Sequence, residues 1–189
     1  MKTECNANQL EFHGIKNRQV VGRFDGGQIS SDGGGILLRE VERRTGILQR
    51  LSKCFTDYRN PKYITHSLLS LITQRLTGLT LGYEDLNDHD TLRDDALLAV
   101  LSGKVGEQLA GRNTLNRLEL TLPEASAQDR YKKIVADTAA MDALLVDLFV
   151  DAYERAPEEI VLDIDATDDP LHGDQEGRFF HGYYRHYGY

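Results

Sequence analysis

The chain has 189 residues, of which 40% are hydrophobic and 28% charged, and this length allows one full domain and part of a second. It contains no apolar run of the roughly 18 to 20 residues that a membrane helix needs, and its first residues lack the apolar core of a signal peptide. Cys5 and Cys54 have no metal-ligand spacing, which argues against a zinc site or a disulfide framework and favours a reducing cytoplasm.

The net charge of −8 is unevenly distributed along the chain. Residues 1–93 carry 13 Lys and Arg against 11 Asp and Glu, whereas residues 94–189 carry 9 against 19. Neutralising phosphates requires clustered cations, so the overall charge predicts weak and salt-sensitive binding to nucleic acid. The acidic excess of the second half is either a solvated surface or a source of carboxylates for metal ions.

Residues 1–34 are predicted to form an extended, turn-rich leader. The glycine-rich stretch from Gln19 to Gly35 has neither the GxxxxGK[ST] nor the GxGxxG spacing of phosphate-binding loops, so it predicts turns that lead into a helix. This first helix is expected to begin near Gly35, with Ser31 or Asp32 as its cap, because apolar residues then recur at helical spacing as far as Leu51.

A helical domain is predicted over residues 35–156. Pro61 precedes a second helix from about Thr65 to Leu81, in which leucine and isoleucine side chains form one apolar stripe. The segment from Gly82 to Asp95 is polar and predicts turns.

Two short helices are predicted next, at Asp95–Leu101 and Thr114–Leu120, the second with Asn113 or Thr114 as its cap. The longest periodic segment, from about Ala127 to Ala156, predicts a single helix that Pro157 ends.

After this helix the pattern changes to that of a strand. Ile160–Asp165 (IVLDID) is short, apolar and β-branched, and Arg178–Tyr189 is rich in aromatic residues and predicts a second strand. The expected fold class is therefore a mainly α amino-terminal domain followed, from residue 157, by the first strands of an α/β domain.

Strand alternation places Val161, Asp163 and Asp165 on one face of the predicted strand. Two carboxylates at close range repel each other unless a cation or a proton neutralises them. Mg²⁺ prefers oxygen ligands and keeps several waters, so it suits such a pair. The alternative is that both side chains lie at a hydrated strand end and simply begin the turn Thr167–Pro170.

Four segments of the chain carry a family resemblance. Ile160 to Gly173 (IVLDIDATDDPLHG) resembles the opening of the catalytic domain in the DDE group 1 transposases of bacterial insertion sequences. Three earlier segments resemble the same family in the same order, namely DGGQISSDGGGILLREVERRTG (Asp25 to Gly46), GLTLGYEDLNDHDTLRDD (Gly78 to Asp95) and LAGRNTLNRLEL (Leu109 to Leu120). The resemblance begins near residue 20 and is far more specific than a lone DxD motif.

The resemblance implies that residues 157–189 begin an RNase H-like domain and that the complete protein carries out DNA transposition by metal-dependent strand cleavage and transfer. Asp165-Ala166-Thr167 matches the Asp-x-Thr step of related transposases, so Asp165 is the expected first catalytic carboxylate and Mg²⁺ ligand. Asp163 is the second choice for both roles. In this chemistry two Mg²⁺ ions activate the attacking oxygen and stabilise the leaving oxygen.

Only 24 residues follow Asp165, whereas completing such a domain takes about 100 or more. The second Asp and the Glu of the catalytic triad therefore have no counterpart in the sequence, which predicts a truncated transposase that is inactive alone. The expected partners are the terminal repeats of the element and a second copy of the chain or a complete transposase, without any membrane. The expected location is the cytoplasm, at the nucleoid.

The predicted DNA-binding residues of the helical domain are Arg112, Asn113, Asn116 and Arg117. Amide and guanidinium groups near the start of a helix reach phosphates or base edges, although a capped surface helix accounts for each residue equally well.

Other polar clusters are less specific. Two basic groups lie at Lys16, Arg18 and Arg23 and at Arg39, Arg43 and Arg44, and the second is equally placed to pair with Glu40 or Glu42. His172, His181 and His186 lack zinc-site spacing and are expected on turn or strand surfaces, with DNA contact as the alternative.

Two other functions fit parts of the sequence. The residues from Asp163 to Thr167 also match the DxDxT pattern of haloacid-dehalogenase-like phosphatases, in which the first Asp attacks phosphorus and the second acts as the acid. The upstream segments do not resemble that family. The non-enzymatic alternative is a transposase remnant that binds DNA or inhibits a complete transposase.

Overall fold

The computed structural model describes residues 9–23, 32–164, 168–171, 173–174 and 177–189. Within these residues the protein is mixed α/β, with seven α-helices and three two-stranded antiparallel sheets. The chain divides into two compact units, which are Met1–Ala152 (unit 1) and Tyr153–Tyr189 (unit 2).

Within the described residues six short strands pair with their neighbours in strand order. The strands are β1 (Gln9–Ile15), β2 (Arg18–Arg23), β3 (Phe55–Asp57), β4 (Ile134–Ala136), β5 (Phe179–His181) and β6 (His186–Gly188). The pairs are β1 with β2, β3 with β4, and β5 with β6. The leader thus contains a hairpin.

All seven helices lie in unit 1. They are α1 (Ile36–Thr45), α2 (Ile47–Ser52), α3 (Leu68–Thr80), α4 (His89–Leu92), α5 (Ala96–Leu101), α6 (Arg112–Glu119) and α7 (Thr138–Asp151). Short 3-10 turns stand at Gly33–Gly35, Pro61–Tyr63 and Leu86–Asp88.

The helix predicted from Gly35 to Leu51 is broken in two by Gly46. Its φ of +64° lies in the left-handed region, so α1 ends there and α2 begins. The carboxylate of Glu42 spans the break and accepts from the backbone N–H groups of Leu48 and Gln49. Capping by the Asp32 side chain is wrong, because that carboxylate instead accepts from the Tyr83 hydroxyl at 2.6 Å.

Helix α5 begins one residue after its predicted start and α3 three residues after its predicted start, and each has a side-chain cap. The Ser67 hydroxyl accepts from the Ser70 N–H, and the Asp95 carboxylate accepts from the Leu98 N–H at 2.6 Å. For α6 the predicted cap is wrong, because the helix begins at Arg112 after Gly111 and makes no side-chain cap hydrogen bond.

The single long helix predicted from Ala127 to Ala156 is also wrong. Its first part instead contains β4, which pairs with β3, and α7 begins only after Asp137, whose carboxylate accepts from the Ala140 N–H. Tertiary packing favours the strand over the helix at this point, since Ile134 of β4 is buried in the core and only 2% exposed. The helix ends at Asp151, well before Pro157.

The core of unit 1 is built around α3. Leu71 and Ile72 of α3 pack with Leu115 and Leu118 of α6 and with Ile134 of β4. A second apolar cluster is formed by Leu98, Leu101 and Leu109.

The buried Arg75 side chain of α3 is paired. Arg75 forms an ion pair with Glu119 of α6 and also donates to the backbone carbonyls of Tyr83 and Glu84. Because a buried guanidinium is costly unless its donors are satisfied, these contacts fix α3 against α6 and against the loop that follows α3.

Unit 2 consists of an irregular segment and the β5–β6 hairpin. The strand predicted at Ile160–Asp165 is not present in its described part, residues 160–164, where Val161 is 84% and Ile164 is 89% exposed. A segment with this apolar pattern forms a strand only when a neighbouring strand supplies backbone hydrogen bonds. No strand in the described residues pairs with residues 160–164. The second predicted strand, Arg178–Tyr189, is instead two strands joined by a turn.

None of the helices in the described ranges combines the length and the apolar character that crossing a bilayer requires.

Candidate nucleic-acid interface

The pairing of β3 with β4 brings together two segments that are far apart in the sequence. Asp57 at the end of β3 lies opposite Ile134 at the start of β4, and the Tyr58 N–H continues the ladder by donating to the Lys133 carbonyl at 2.8 Å. In an antiparallel pair the residues after one strand lie beside those before the other. Residues 59–66 and 130–133 therefore meet at one end of the ladder.

Arg59 holds the first of these segments in a fixed shape. Its guanidinium donates to both carboxylate oxygens of Asp57, with Nη2 to Oδ2 at 2.7 Å, and its Nη1 donates to the His66 carbonyl at 3.0 Å. Burial alone raises the pKa of Asp57, but the hydrogen bonds from Arg59 outweigh it and hold that pKa below its ordinary value. Asp57 is therefore negatively charged. Arg59 joins it to His66 and so holds the loop between these two residues.

Helix α6 lies next to these two segments. Leu115 and Leu118 bury one face of the helix in the core, while Thr114 and Arg117, three residues apart, share another face. The Arg117 guanidinium carbon lies 4.9 Å from the centre of the Tyr131 ring, within cation–π range. The guanidinium carbon of Arg130 lies at the same distance from that ring.

These three segments enclose an open cavity of about 390 Å³ in unit 1. Leu71 and Ile134 form its apolar floor, and Tyr63, which is 83% exposed, lines it from the 3-10 turn. Its basic lining residues are Arg59, His66, Arg117, Arg130 and Lys133. The lining contains no carboxylate.

Three of the cations in this wall form no ion pair, although the charge of Lys133 helps to lower the pKa of Asp129. Within the described residues, Arg117, Arg130 and Lys133 have no carboxylate oxygen within 4.0 Å. The Lys133 ammonium donates to the Ala127 carbonyl, which orients it without removing its charge. Like charges held close together on a surface attract an anion, and phosphate is the natural one for arginine.

His66 contributes a buried polar atom to the same wall. Burial first, and then the positive charges of Lys104, Arg59 and Arg93, hold its pKa below the ordinary value, so the ring is neutral near pH 7. Among the described residues, its Nδ1 atom is buried and has no hydrogen-bond partner.

The other predicted DNA-binding residues of α6 lie in different surroundings. The Arg112 Nε atom is 3.0 Å from the Asp90 carboxylate, and its Nη1 donates to the Asn87 side chain at 2.7 Å. Asn113 is exposed and Asn116 is half-buried. Of the four, Arg117 alone lines the cavity.

The other basic clusters are largely engaged within the protein. Arg39 donates to the carbonyls of His13 and Gly14, which attaches α1 to the β1–β2 hairpin. Arg43 pairs with Glu40 at 2.9 Å, as the solvated-face alternative predicts. The Lys16 ammonium lies 3.4 Å from the Glu107 carboxylate.

The histidines of unit 2 lie in or beside the β5–β6 hairpin. His186 Nε2 lies 2.9 Å from the Asp168 carboxylate, and its Nδ1 lies 3.1 Å from the Tyr187 carbonyl. The His181 ring packs against Tyr184. His172 lies outside the described residues.

The predicted metal ligands lie in unit 2, and Asp165 falls outside the described residues. Asp163 is exposed. Carboxylate oxygens suit Mg²⁺ in kind, but the described part of the chain contains no group of three acidic, histidine or cysteine side chains able to hold an ion. The geometry of a metal site is therefore not defined by these residues.

Tyr63, His66, Arg130, Tyr131 and Lys133 are candidate functional residues that the sequence prediction missed. Residues 130–133 (RYKK) combine basic and aromatic side chains, which is the composition typical of nucleic-acid contacts. The apolar spacing of the same segment predicts a long helix instead, which obscures this signal.

Comparison with known proteins identifies the family. Residues 12–189 match the family described as Transposase DDE domain group 1, so the chain belongs to that family. This confirms the family predicted from the four sequence segments, and membership implies a transposase function, with DNA as the partner and an RNase H-like fold. Domains of this kind generally use a divalent metal ion. No match was found among curated proteins or among solved structures.

Proposed function

We propose that this chain serves a bacterial insertion sequence by positioning DNA on unit 1 and by supplying the first catalytic carboxylate from unit 2. The single observation that supports the first part is the cavity wall with three cations that form no ion pair within the described residues. Metal-dependent strand cleavage and transfer is the proposed reaction, and the second and third carboxylates are assigned to no residue. A second copy of the chain or a complete transposase is the proposed protein partner.

Arg117 is the proposed principal phosphate contact of α6. Its charge is not neutralised by an acid, and its stacking on Tyr131 limits the side-chain freedom that DNA binding would otherwise remove. Asn113 lies on the exposed surface of the same helix and is proposed to contact DNA beside it. Asn116, which is half-buried, and Arg112, which already pairs with Asp90, are proposed as secondary contacts.

Asp165 is the proposed first ligand for Mg²⁺, and Asp163 is the proposed second. When bound, the ion supplies charge stabilisation for the oxygens that attack and leave phosphorus. The chain contributes the anionic ligands and holds the DNA, so that a phosphate is presented in a fixed register.

Salt dependence of duplex binding tests the DNA-contact proposal. The full chain is titrated with a labelled DNA duplex at several NaCl concentrations, and Arg117→Gln is compared with wild type. Loss of one phosphate contact should weaken binding and reduce the slope of log affinity against log salt by about 0.9. Arg155→Gln is the matched control, since it removes an exposed arginine in unit 2 and should leave this slope closer to the wild-type value. Equal slopes for Arg117→Gln and wild type would contradict the proposal.

Mg²⁺ titration followed by NMR tests the carboxylate assignment. The amide signals of residues 163–167 should shift with MgCl₂ in the wild-type chain and remain unchanged in Asp165→Asn. Asp174→Asn removes another exposed acid of unit 2 and should preserve the shifts. If the shifts persist in Asp165→Asn, the ion binds elsewhere and the assignment is wrong.

A further inference from the structure

We propose that the cavity between Tyr63 and α6 binds one unpaired nucleotide, with the base on Tyr63 and the phosphate on Arg117, Arg130 and Lys133. This inference rests on the proposed DNA-binding function and specifies which part of the DNA enters the protein. It predicts a preference for DNA with a single-stranded end over a fully paired duplex.

The size of the cavity excludes a duplex. Its volume of about 390 Å³ lies within the range of roughly 300 to 1,000 Å³ that is typical of small-molecule pockets. A double helix can only lie across its mouth and touch the exposed cations. A single nucleotide that leaves the base stack can enter.

Tyr63 has the properties of a stacking platform. Its ring is largely exposed, and it stands on a short turn that begins with Pro61 and that the Asn60 side chain caps by accepting from the Lys62 N–H. The ion pair of Arg59 with Asp57, and its bond to the His66 carbonyl, hold both ends of this loop. An exposed aromatic ring on a fixed loop stacks with any base at low entropic cost.

The cations are arranged for a phosphate next to such a base. Arg117 and Arg130 each lie 4.9 Å from the centre of the Tyr131 ring, so that ring holds two guanidinium groups in the cavity wall. A phosphate that enters the cavity would accept charge-assisted hydrogen bonds from this basic wall. Lys133 lies in the same wall and adds a third positive charge.

Part of the cavity lining suits a base better than it suits an isolated anion. The rings of Tyr63 and Tyr131 and the half-buried side chain of Ile64 line the cavity, and an inorganic phosphate would lose hydration against them without gaining a polar partner. The cavity thus combines stacking, apolar contact and positive charge, as single-strand binding sites do.

The experiment measures fluorescence anisotropy of the full chain with three labelled probes: an oligodeoxythymidine octamer, a blunt duplex, and the same duplex with a short single-stranded overhang. The wild-type chain should bind the overhang duplex more tightly than the blunt duplex. Tyr63→Ala should weaken octamer binding by about tenfold and abolish the overhang advantage, because stacking of one base is lost. Tyr63→Phe retains the ring and should behave as wild type.

Controls separate this inference from simpler explanations. Tyr58→Ala removes another exposed tyrosine of unit 1 that does not line the cavity, and it should leave octamer binding unchanged. Inorganic phosphate is added as a competitor. If it displaces the octamer equally well from wild type and from Tyr63→Ala, the cavity is a simple anion site and the nucleotide proposal is overturned.

The failure of each proposal is distinguishable. If the wild-type chain binds the blunt duplex with the expected salt dependence but Tyr63→Ala binds every probe as wild type does, the nucleotide site is wrong and the DNA-binding function stands. If no probe binds at low salt, the proposed function itself fails. Circular dichroism of each variant confirms that the exposed substitutions leave the fold intact.

Discussion

The side-chain amide of Gln74 pairs with the backbone of Ala110 in both directions. Its Nε2 donates to the Ala110 carbonyl at 2.7 Å, and its Oε1 accepts from the Ala110 N–H at 2.9 Å. The same Nε2 lies 3.2 Å from His89 Nδ1, and all three residues are fully buried. A side chain of α3 thus supplies the hydrogen-bond partners of the Ala110 N–H and carbonyl, which lie in the loop before α6.

Replacing Gln74 should be strongly destabilising. Gln74→Leu keeps the apolar bulk but leaves the N–H and carbonyl of Ala110 buried without partners, which costs about 2 to 5 kcal/mol. Chemical denaturation of the variant measures the loss. Gln49→Leu, at an exposed position on α2, is the control and should change the unfolding free energy by less than about 0.5 kcal/mol. A similarly small change for Gln74→Leu would show that this amide pairing contributes little.

The packing of α3 against His89 should require a glycine at position 78, because there is no room for a side chain. A Cβ atom at this position would lie 2.9 Å from Cε1 of the buried His89 ring, which its contact with Gln74 holds in place. Gly78→Ala should therefore destabilise unit 1 by about 1 to 3 kcal/mol through overpacking. Gly34→Ala meets no atom within 4 Å and should be neutral or slightly stabilising. Thermal melting of both variants distinguishes steric conflict from a general effect of glycine replacement.

His186 should titrate above its ordinary pKa. The Tyr187 carbonyl first, and then the Asp168 carboxylate, raise the pKa of His186 by favouring its charged form. Its contribution to stability is complete below the ordinary value of about 6.5 and is lost as pH rises through the raised folded value. NMR titration of the imidazole measures this. Asp168→Asn should lower the pKa, whereas Asp174→Asn should not, and an unchanged value in Asp168→Asn would refute the ion pair.

The stability of unit 1 should fall as pH is lowered, which is opposite to the contribution of His186. Burial is the main cause that lowers the pKa of both His66 and His89, with Lys104 adding to it at His66 and Arg75 at His89. Because the unfolded chain then binds protons more readily, stability is complete above about pH 6.5 and falls as pH drops towards the folded pKa values.

Denaturation at several pH values between about 7.5 and 5 tests this dependence. His66→Gln should reduce the slope of unfolding free energy against pH, while His13→Gln, at an exposed position, should keep it. A slope in His66→Gln equal to that of wild type would show that His66 does not contribute.

Apolar residues at helical spacing predict α3 and α5. In the structure both helices begin directly after a residue whose side chain caps them, which is Ser67 for α3 and Asp95 for α5. The break at Gly46 was less evident, since a single glycine is tolerated in helices and its left-handed conformation depends on the turn that Glu42 stabilises. The β4 strand was not predictable from its own sequence, because its partner β3 lies far away along the chain.

The candidate site depends on that same distant pairing. The position of Arg117 near a helix start predicts a DNA contact, but Tyr63 and Arg130 line the same cavity only because β3 and β4 meet. The family pattern indicates Asp165, which stays a prediction because the described residues do not include it.

Leu109 and Ala110 are adjacent in the chain but belong to different apolar clusters of unit 1. The peptide bond between them links the two clusters, and the Gln74 side chain holds its N–H on α3. Displacing Leu109 would strain the backbone at Ala110, so we expect the two clusters to open together. Unit 1 is then expected to unfold as one thermodynamic body, although its apolar interior is divided in two.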